Sequence, residues 1–479
     1  METQCNQATL AFHQVGQRQV VGRFDGGKVT SDAGALLLRE LELKLGLARR
    51  FAACFTDHRD ADRIDHTVEE LVAQRVFALA LGYEDLNDHD QLRSDPLLAL
   101  VVGKEDPTGE SRPRQRDQGK PLAGKSTLNR LELTPVGATE EARYKKIVAH
   151  CGQLEEFFVE AFLRLHPQGP PAPIVLDLDA TDDPLHGDQL GKFFHGYYKC
   201  YCYLPLYIFC GGHLLCAKLR PADIDASAGA LWQVQRLVGR LRQAWPQASI
   251  MLRGDSGFCR EPLMRWCEAN GVDYVFGLAK NPRLTQEIAA ELQEAKRLCE
   301  ADPERRPARL YKDFTYQTLT SWSRPRRVIG KAEHLPKGAN PRFVVTTLAA
   351  EQCTARVVYE QQYCGRGDME NRIKEQQLAL FADRTSAGTM RANQLRLWFS
   401  SLAYVLLHAL RTLALADTEL EKAQCDTLRR KLFKIGAVVR VTVRKVWIAF
   451  SESYPLQALF AHVHQRLIAL TPLPRGSPT

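Results

Sequence analysis

The chain lacks the cysteine patterns of secreted and zinc-ribbon proteins. It has 13 cysteines, an odd number, and none of them forms a Cys-x-x-Cys pair. The closest two, Cys200 and Cys202, would point to opposite faces of a strand, so neither a disulfide framework nor a zinc ribbon is expected. Free cysteines among apolar residues are typical of a reducing cytosol, and the sequence therefore predicts a cytoplasmic protein.

Long apolar segments and a strong charge excess are also missing. The first six residues are polar and lack the apolar core of a signal peptide. The most apolar run, around 402–415, is interrupted by His408 and Arg411, so no membrane-spanning segment and no membrane partner are predicted. The chain has 64 Lys and Arg against 56 Asp and Glu, a formal net charge of +8, which permits a polyanionic partner without requiring one.

The N-terminal part of the sequence has the pattern of helices. Thr67 and Glu70 form a capping box ahead of apolar residues at helical spacing, and Thr139, followed by two acids, would cap a helix ending near Leu165. The segment Lys125–Leu131, with Ser126 as its cap, fits either a DNA-recognition helix or an ordinary capped helix. A Pro- and Gly-rich stretch then closes this region.

The pattern changes after Pro173 to short apolar strands and then to alternating helices and strands. That order predicts an α/β fold built on a mixed sheet with flanking helices. Between positions 301 and 342, ten bases, among them Arg305 and Arg306, stand against four acids, and short β-like runs predict a β-rich insertion. The predicted regions are a helical N-terminal DNA-binding and assembly region (1–166), a first core part (172–281), the insertion (282–342), a second core part (343–415) and a basic C-terminal region (416–479).

Two predicted strands end in carboxylates, at Asp179 and Asp255. Neighbouring strand ends can bring such side chains together, although an aspartate in this position is often only a turn residue. Two carboxylates hold Mg²⁺ weakly, and Glu370 is the best third ligand. Tyr363 and Arg366 share a helical face with Glu370, and Lys374 extends it. A face that combines an acid with bases fits a metal-bound phosphodiester better than core packing.

Three segments resemble the acidic motifs of bacterial insertion-sequence transposases. The run 176–183 with the following His186-Gly187 resembles the first motif, and 252–258 resembles the second. The residues Tyr363-x-x-Arg366-x-x-x-Glu370 resemble the Tyr-x-x-Arg-x-x-x-Glu signature of the cut-and-paste DDE group, and the resemblance spans about 25–451. It implies an RNase H-like core, DNA cleavage and strand transfer, and a homodimer on double-stranded DNA, at element ends and target, in the bacterial cytoplasm and nucleoid.

The resemblance also implies roles for individual residues. Asp179, Asp255 and Glu370 would be the catalytic triad that holds Mg²⁺ or Mn²⁺, as two ions. The residues implied in DNA binding are Tyr363, Arg366, Lys374, Arg253 and Trp322. Trp322 would either stack on a flipped base or pack in the core of the insertion.

One position departs from the family pattern. The signature has a lysine seven residues after the glutamate, where this chain has Gln377, and Lys374 would substitute from one turn earlier. Two alternatives therefore stay open: a nuclease that cuts without joining strands, and a non-catalytic DNA-binding protein derived from a transposase. The aromatic residues between 193 and 203 are predicted to pack in the core and hairpin, and His186 and His195 to make local hydrogen bonds.

Overall fold

The structure, a computed structural model, describes residues 9–171, 173–301 and 307–473. Arg305 and Arg306 of the predicted insertion lie outside the described residues. The chain forms two compact units, the first made of Met1–His150 with Leu402–Thr479 and the second of Cys151–Ser401. The chain has a mixed α/β fold with a large mixed sheet and helices, as the sequence predicts.

The first segment of unit 1 is mainly helical and carries short strands. The predicted capping box of Thr67 and Glu70 is present, and the helix it starts ends at Gly82, whose φ of 94° is left-handed. Ser126 lies inside its helix rather than at the cap, which is Gly124. The elements are β1 (Leu10–Val15), β2 (Arg18–Gly22), β3 (Lys28–Thr30), α1 (Ala35–Leu45), α2 (Leu47–Ala52), β4 (Phe55–Asp57), α3 (Val68–Leu81), α4 (His89–Leu92), α5 (Pro96–Val102), α6 (Lys125–Leu133) and β5 (Ile147–Ala149).

Unit 2 begins with a helix and the strands that carry the predicted acids. The helix predicted from Thr139 begins only at Cys151, because Ile147–Ala149 pairs with β4 as a strand. The elements up to residue 278 are α7 (Cys151–Leu165), β6 (Ile174–Ala180), β7 (Asp183–Pro184), β8 (Phe193–His195), β9 (Cys200–Tyr203), β10 (Leu206–Cys210), β11 (His213–Lys218), α8 (Ala230–Ala244), β12 (Ile250–Gly254), α9 (Glu261–Ala269) and β13 (Asp273–Leu278).

The region predicted as a β-rich insertion (282–342) begins with helices and continues into two long strands. These strands belong to the main sheet, because β15 pairs with both β14 and β17, and β17 pairs with β13. The described strands run in the order β11-β10-β6-β12-β13-β17-β15-β14. The elements are α10 (Pro282–Glu287), α11 (Ala289–Ala301), β14 (Ala308–Tyr316), β15 (Arg326–Leu335), β16 (Gly338–Ala339) and β17 (Arg342–Thr346).

Strand alternation gives this sheet two different faces. Leu176 and Leu178 of β6 point into one buried cluster together with Leu252 of β12. Successive side chains of a strand point to opposite faces, so Asp177 and Asp179 share the other face. The apolar part of that face includes Met251 and Val275. The predicted acid Asp179 and its neighbour Asp177 therefore lie on the face that is only partly apolar.

The helices that follow complete unit 2 and lead into unit 1. They are α12 (Ala355–Val357), α13 (Gly367–Leu380) and α14 (Met390–Ala414), with a π-helical turn (Val358–Tyr363) and a 3₁₀ turn (Cys364–Arg366) between the first two. Among the described residues, α14 is long and apolar enough to cross a membrane by length and composition alone, a test that a buried core helix also passes. It extends further toward the N-terminus than the apolar run at 402–415, and 83% of its most apolar window is buried.

The C-terminal segment returns to unit 1. Its elements are α15 (Cys425–Leu428), β18 (Ala437–Val441), β19 (Val446–Phe450) and α16 (Gln457–Ala469), and β18 pairs with β3. Part of the predicted basic region makes contacts within this unit. Arg429 is buried and donates from Nε to the carbonyl oxygen of Ala80. Nζ of Lys434 lies 2.6 Å from Oδ1 of Asp32. These two bases therefore stabilise the unit itself.

Candidate active site

Two adjacent parallel strands bring the first two acids to one edge of the sheet. In the pairing of β6 with β12, Leu178 lies opposite Gly254, one residue before Asp179 and Asp255 respectively. The carboxyl ends of adjacent parallel strands meet at the same edge, so both carboxylates emerge there. The backbone N–H of Gly257 donates to Oδ1 of Asp255 at 2.8 Å and fixes that side chain.

The third acid comes from α13. The signature residues do not share one regular α-helix, because Tyr363 ends a π-helical turn and Arg366 ends a 3₁₀ turn before the helix begins. Irregular helical turns of this kind are frequent at functional sites. Arg366 still reaches Glu370, with Nη2 at 2.7 Å from Oε1, and its Nη1 lies 3.6 Å from Oδ2 of Asp179. The guanidinium thus links the acid of the helix to the acid of β6.

A cleft of about 620 Å³ is lined by the three acids and by Arg366. Besides the three acids it contains Lys374 and Gln377 of α13. The structure thus places Asp179, Asp255, Glu370, Arg366 and Lys374 in one cleft. The remaining lining residues are Ala180, Thr181, Asp182, His195, Tyr197, Tyr198, Leu204, Ala226, Ser256, Gly257 and Ile373.

The acids lie close enough to perturb one another. Burial raises the pKa of Asp179 to about 7, Arg366 opposes that rise, and the nearby carboxylates Asp255 and Glu370 add to it. Among the residues that the structure describes, no three His, Cys, Asp or Glu side chains already stand in metal-binding geometry. In the structure, the cation beside Asp179 and Glu370 is the Arg366 guanidinium.

The raised pKa of Asp179 predicts a pH dependence of stability without divalent metal. The carboxyl pKa is higher in the folded than in the unfolded chain, so the folded state binds the proton more tightly. The stabilisation is complete below the unfolded value of about 4 and is lost as the pH rises through about 7.

Asp179→Asn mimics the neutral carboxyl group and should remove this dependence. Urea unfolding of both proteins in a chelating buffer at several pH values measures the difference between them. We expect the free energy of unfolding of the parent to fall relative to that of the variant between pH 4 and pH 7. If the free energy of unfolding changed with pH in the same way for the parent and for Asp179→Asn, the pKa of Asp179 would not be raised in the folded chain.

Arg253, predicted as a DNA contact, makes an internal ion pair. Its Nε and Nη2 donate to the two carboxylate oxygens of buried Asp177 at 2.6 and 2.7 Å, and Nη1 donates to the carbonyl oxygen of Gln362 at 2.8 Å. The two residues lie opposite each other on β12 and β6. Burial raises the pKa of Asp177, and the charge and hydrogen bonds of Arg253 oppose that rise. Arg253 therefore ties the acid-bearing strand to the turn before α13.

Trp322, offered as a base-stacking residue, is buried. It is 6% exposed and packs with its ring edge against Tyr316 at 5.9 Å between centroids. The guanidinium of Arg326 lies 5.3 Å from its ring centroid and pairs with Glu261 and Glu268. Of the two interpretations that the sequence left open, the structure shows core packing.

Of two further signature positions, Gln377 lines the cleft, whereas Tyr363 is not among its lining residues. Tyr363 is packed against Gly277, where a Cβ atom would come within 2.6 Å of the tyrosine hydroxyl. Burial raises its pKa, and Asp255 raises it further while Arg366 lowers it. Gln377, at the position of the family lysine, donates from Nε2 to the carbonyl oxygen of Asp182 at 3.0 Å. The departure from the family pattern thus attaches α13 to the loop that follows β6.

Sequence reasoning missed several residues of this region. Asp177 was not among the predicted residues, although strand alternation places it on the same face as Asp179. Asp182, His195, Tyr197 and Tyr198 all line the cleft. For the last three, the available indication was their short distance in sequence from the first acid.

Comparison with protein families gives a match over most of the chain. A family model described as transposase DDE domain group 1 matches residues 12–472. Among solved structures, the chain is similar to a piggyBac transposase in a synaptic complex with hairpin DNA. The sequence identity is 12%, the match covers 94% of this chain and 87% of that one, and the TM-score is 0.39. No curated protein sequence matches the chain.

Proposed function

The chain belongs to the DDE transposase family of domain group 1, and from this premise we propose that it binds the terminal inverted repeats of an insertion sequence and moves the element by cut-and-paste transposition. The observation that carries this proposal is the single cleft lined by Asp179, Asp255 and Glu370 together with two bases, Arg366 and Lys374. Carboxylates beside cations suit the cleavage of a phosphodiester.

The same proposal covers the architecture and the partners. The main sheet of unit 2 would be an RNase H-like core, and Asp179, Asp255 and Glu370 its catalytic triad. The partner would be double-stranded DNA, at element ends and then at the target, bound by a homodimer. A bacterial origin, a cytoplasmic and nucleoid location and the absence of a membrane partner stay predictions of the sequence.

Members of this family use divalent metal ions, and the acids of the cleft suit them. Carboxylate oxygens are preferred ligands of Mg²⁺ and Mn²⁺. Burial raises the pKa of Asp179, and the charges of Asp255 and Glu370 raise it further; a cation bound between the three carboxylates would offset both effects. Nη1 of Arg366 is buried and has no hydrogen-bond partner among the described residues, so its link to Asp179 is an ion pair only. Asp179, Asp255 and Glu370 would hold the metal, as two ions.

When bound, the metal supplies an activated nucleophile, either water or a 3′-hydroxyl, and stabilises the leaving oxygen. The remaining functions belong to the chain itself. Lys374 is exposed at the cleft and is placed to contact a DNA phosphate. Arg366 would exchange its carboxylate partners for a phosphodiester group, whose two non-bridging oxygens can accept from both arms of the guanidinium. Tyr363 would position the scissile phosphate beside Asp255.

Two other functions are separable by experiment. Purified protein is incubated with Mg²⁺ and linear DNA that carries its own gene with both natural flanks, and the cut positions are mapped. Paired cuts at inverted repeats, followed by joining to a target plasmid, are the expected result. Cuts without joining would indicate a nuclease, and specific binding of the flanks without cuts would indicate a non-catalytic DNA-binding protein.

Lys374→Ala should weaken DNA binding with little dependence on sequence. One lost phosphate contact lowers the slope of log Kd against log salt by about 0.9. Fluorescence anisotropy with duplex DNA at several salt concentrations measures the slope. The matched control is Lys296→Ala, which removes an exposed lysine of α11 that pairs with Glu300 outside the cleft. An equal slope in parent and Lys374→Ala would contradict the phosphate contact.

A further inference from the structure

The strands β8 and β9, with the turn between them, form a hairpin (residues 193–203) that exposes aromatic rings. Tyr197 is 83% exposed, Phe194 56% and Tyr201 54%. The predicted hairpin packing is present, since Phe194 lies edge-on to Tyr201 with 5.6 Å between ring centroids, but of these four rings only that of Tyr203 is buried. A contiguous group of exposed rings is unusual on a protein surface and indicates a binding site. We call residues 193–203 the aromatic hairpin.

The aromatic hairpin is continuous with the cleft that contains the three acids. His195, Tyr197 and Tyr198 line that cleft. The hydroxyl of Tyr198 donates to the carbonyl oxygen of Ala180 at 3.1 Å, next to Asp179. Tyr197 packs edge-on against Tyr198, with 5.0 Å between ring centroids. A ligand that reaches the acids would thus pass beside the exposed rings.

The charge of this segment favours a polyanion. Residues 192–203 contain Lys192, Lys199 and His195 and no acid. The ammonium group of Lys192 lies 5.6 Å from the ring centroid of Tyr201 and pairs with Asp188 at 2.9 Å. Nδ1 of His195 is buried and has no hydrogen-bond partner among the residues that the structure describes. An unpaired polar atom at a cleft is available to a ligand.

We propose that the aromatic hairpin stacks on unpaired nucleotides of the DNA strand whose phosphate lies at Asp179, Asp255 and Glu370. Bases inside a duplex are already stacked, so only an unpaired or extruded base offers a face to a ring. Aromatic rings interleaved with positively charged side chains are typical of proteins that bind single strands, because every nucleobase has a π-face on which a ring can stack. This inference rests on the proposed function and gives the stacking role, offered for Trp322 by sequence resemblance, to Tyr197 and Phe194.

The test uses full-length protein, without divalent metal so that no DNA is cut. The probes are a short oligothymidylate with one central 2-aminopurine, whose fluorescence falls on stacking, and the same strand in a matched duplex. The parent should quench the single strand strongly. Tyr197→Leu combined with Phe194→Leu should bind the single strand about tenfold more weakly and quench it less, with a small change for the duplex.

Two controls isolate the rings. Tyr197→Phe keeps the ring and should behave as the parent does. Trp232→Leu removes an exposed ring of α8 in the same unit, 56% exposed and outside the cleft, and should also leave both readouts unchanged. Because all of the replaced side chains are exposed, the variants should unfold at the parent's temperature, which circular dichroism checks.

The outcomes distinguish this inference from the proposed function. Equal quenching and affinity in the parent and the double leucine variant would overturn the stacking role, whereas cleavage at the element ends would still support the transposase. A parent that binds neither probe and cuts no DNA would overturn both. If the leucine variant changed only the sedimentation behaviour of the protein, the aromatic hairpin would be a self-association surface and the proposal would be wrong.

Discussion

Asp255→Asn is expected to lower the rate of DNA cleavage at the element ends by about a thousandfold or more while the fold is retained. The change removes one negative charge from the cleft and keeps the size of the side chain. An amide oxygen can still accept the hydrogen bond that Oδ1 receives from Gly257, so the turn after β12 should survive. Loss of a metal ligand removes several kcal/mol of transition-state stabilisation, which a thousandfold loss reflects.

Single-turnover cleavage with Mg²⁺ measures this effect. The matched control is Asp223→Asn, which changes an exposed aspartate of the same unit that does not line the cleft. Binding of the ends by Asp255→Asn should stay within a few-fold of the parent, because the acid contributes to the reaction rather than to phosphate attraction. Equal cleavage by the parent and Asp255→Asn would remove Asp255 from the proposed triad.

Arg253→Ala is expected to destabilise the protein by about 3–5 kcal/mol. It leaves the carboxylate of Asp177, 2% exposed, without the two charged hydrogen bonds that it accepts. An uncompensated buried charge costs far more than the loss of an exposed ion pair. The change also removes the hydrogen bond to Gln362 that holds the turn before α13. Urea unfolding followed by circular dichroism measures the difference in the free energy of unfolding between the parent and Arg253→Ala.

Two control proteins separate the ion pair from a general effect of losing an arginine. Arg297→Ala breaks the exposed pair with Glu294 and should cost less than about 1 kcal/mol. Asp177→Leu combined with Arg253→Met removes both buried charges and should regain most of the lost stability. If Arg253 were instead a DNA contact, Arg253→Ala would unfold like the parent and show a lower salt dependence of DNA binding.

The structural features that depend on residues close together in the sequence could be predicted from it. Short apolar strands that end in acids predicted Asp179 and Asp255 at strand ends, because each strand carries its own apolar alternation. The capping box at Thr67 depends on residues three positions apart and was equally readable. The spacing of Arg366 and Glu370 predicted their contact, since four residues of helix bring the two side chains together.

The features that depend on contacts between residues distant in the sequence could not be predicted from it. The residues after Thr139 look helical, yet Ile147–Ala149 forms a strand because β4 offers it backbone hydrogen bonds. Arg253 looks like a DNA contact until the pairing of β12 with β6 places it opposite Asp177. The rings of the aromatic hairpin have the composition of a core, and only the tertiary structure decides which of them meets solvent.

The pairing of Thr30 with Ala437 has a consequence for how the chain matures during synthesis. Strand β3 is synthesised before unit 2, and its partner β18 follows only after the whole of unit 2 has been translated. A ribosome that stops before residue 437 releases a product whose first unit lacks that strand, even when all three acids are present. Nascent chains therefore hold the complete set of acids for some time before the unit that surrounds β3 can close.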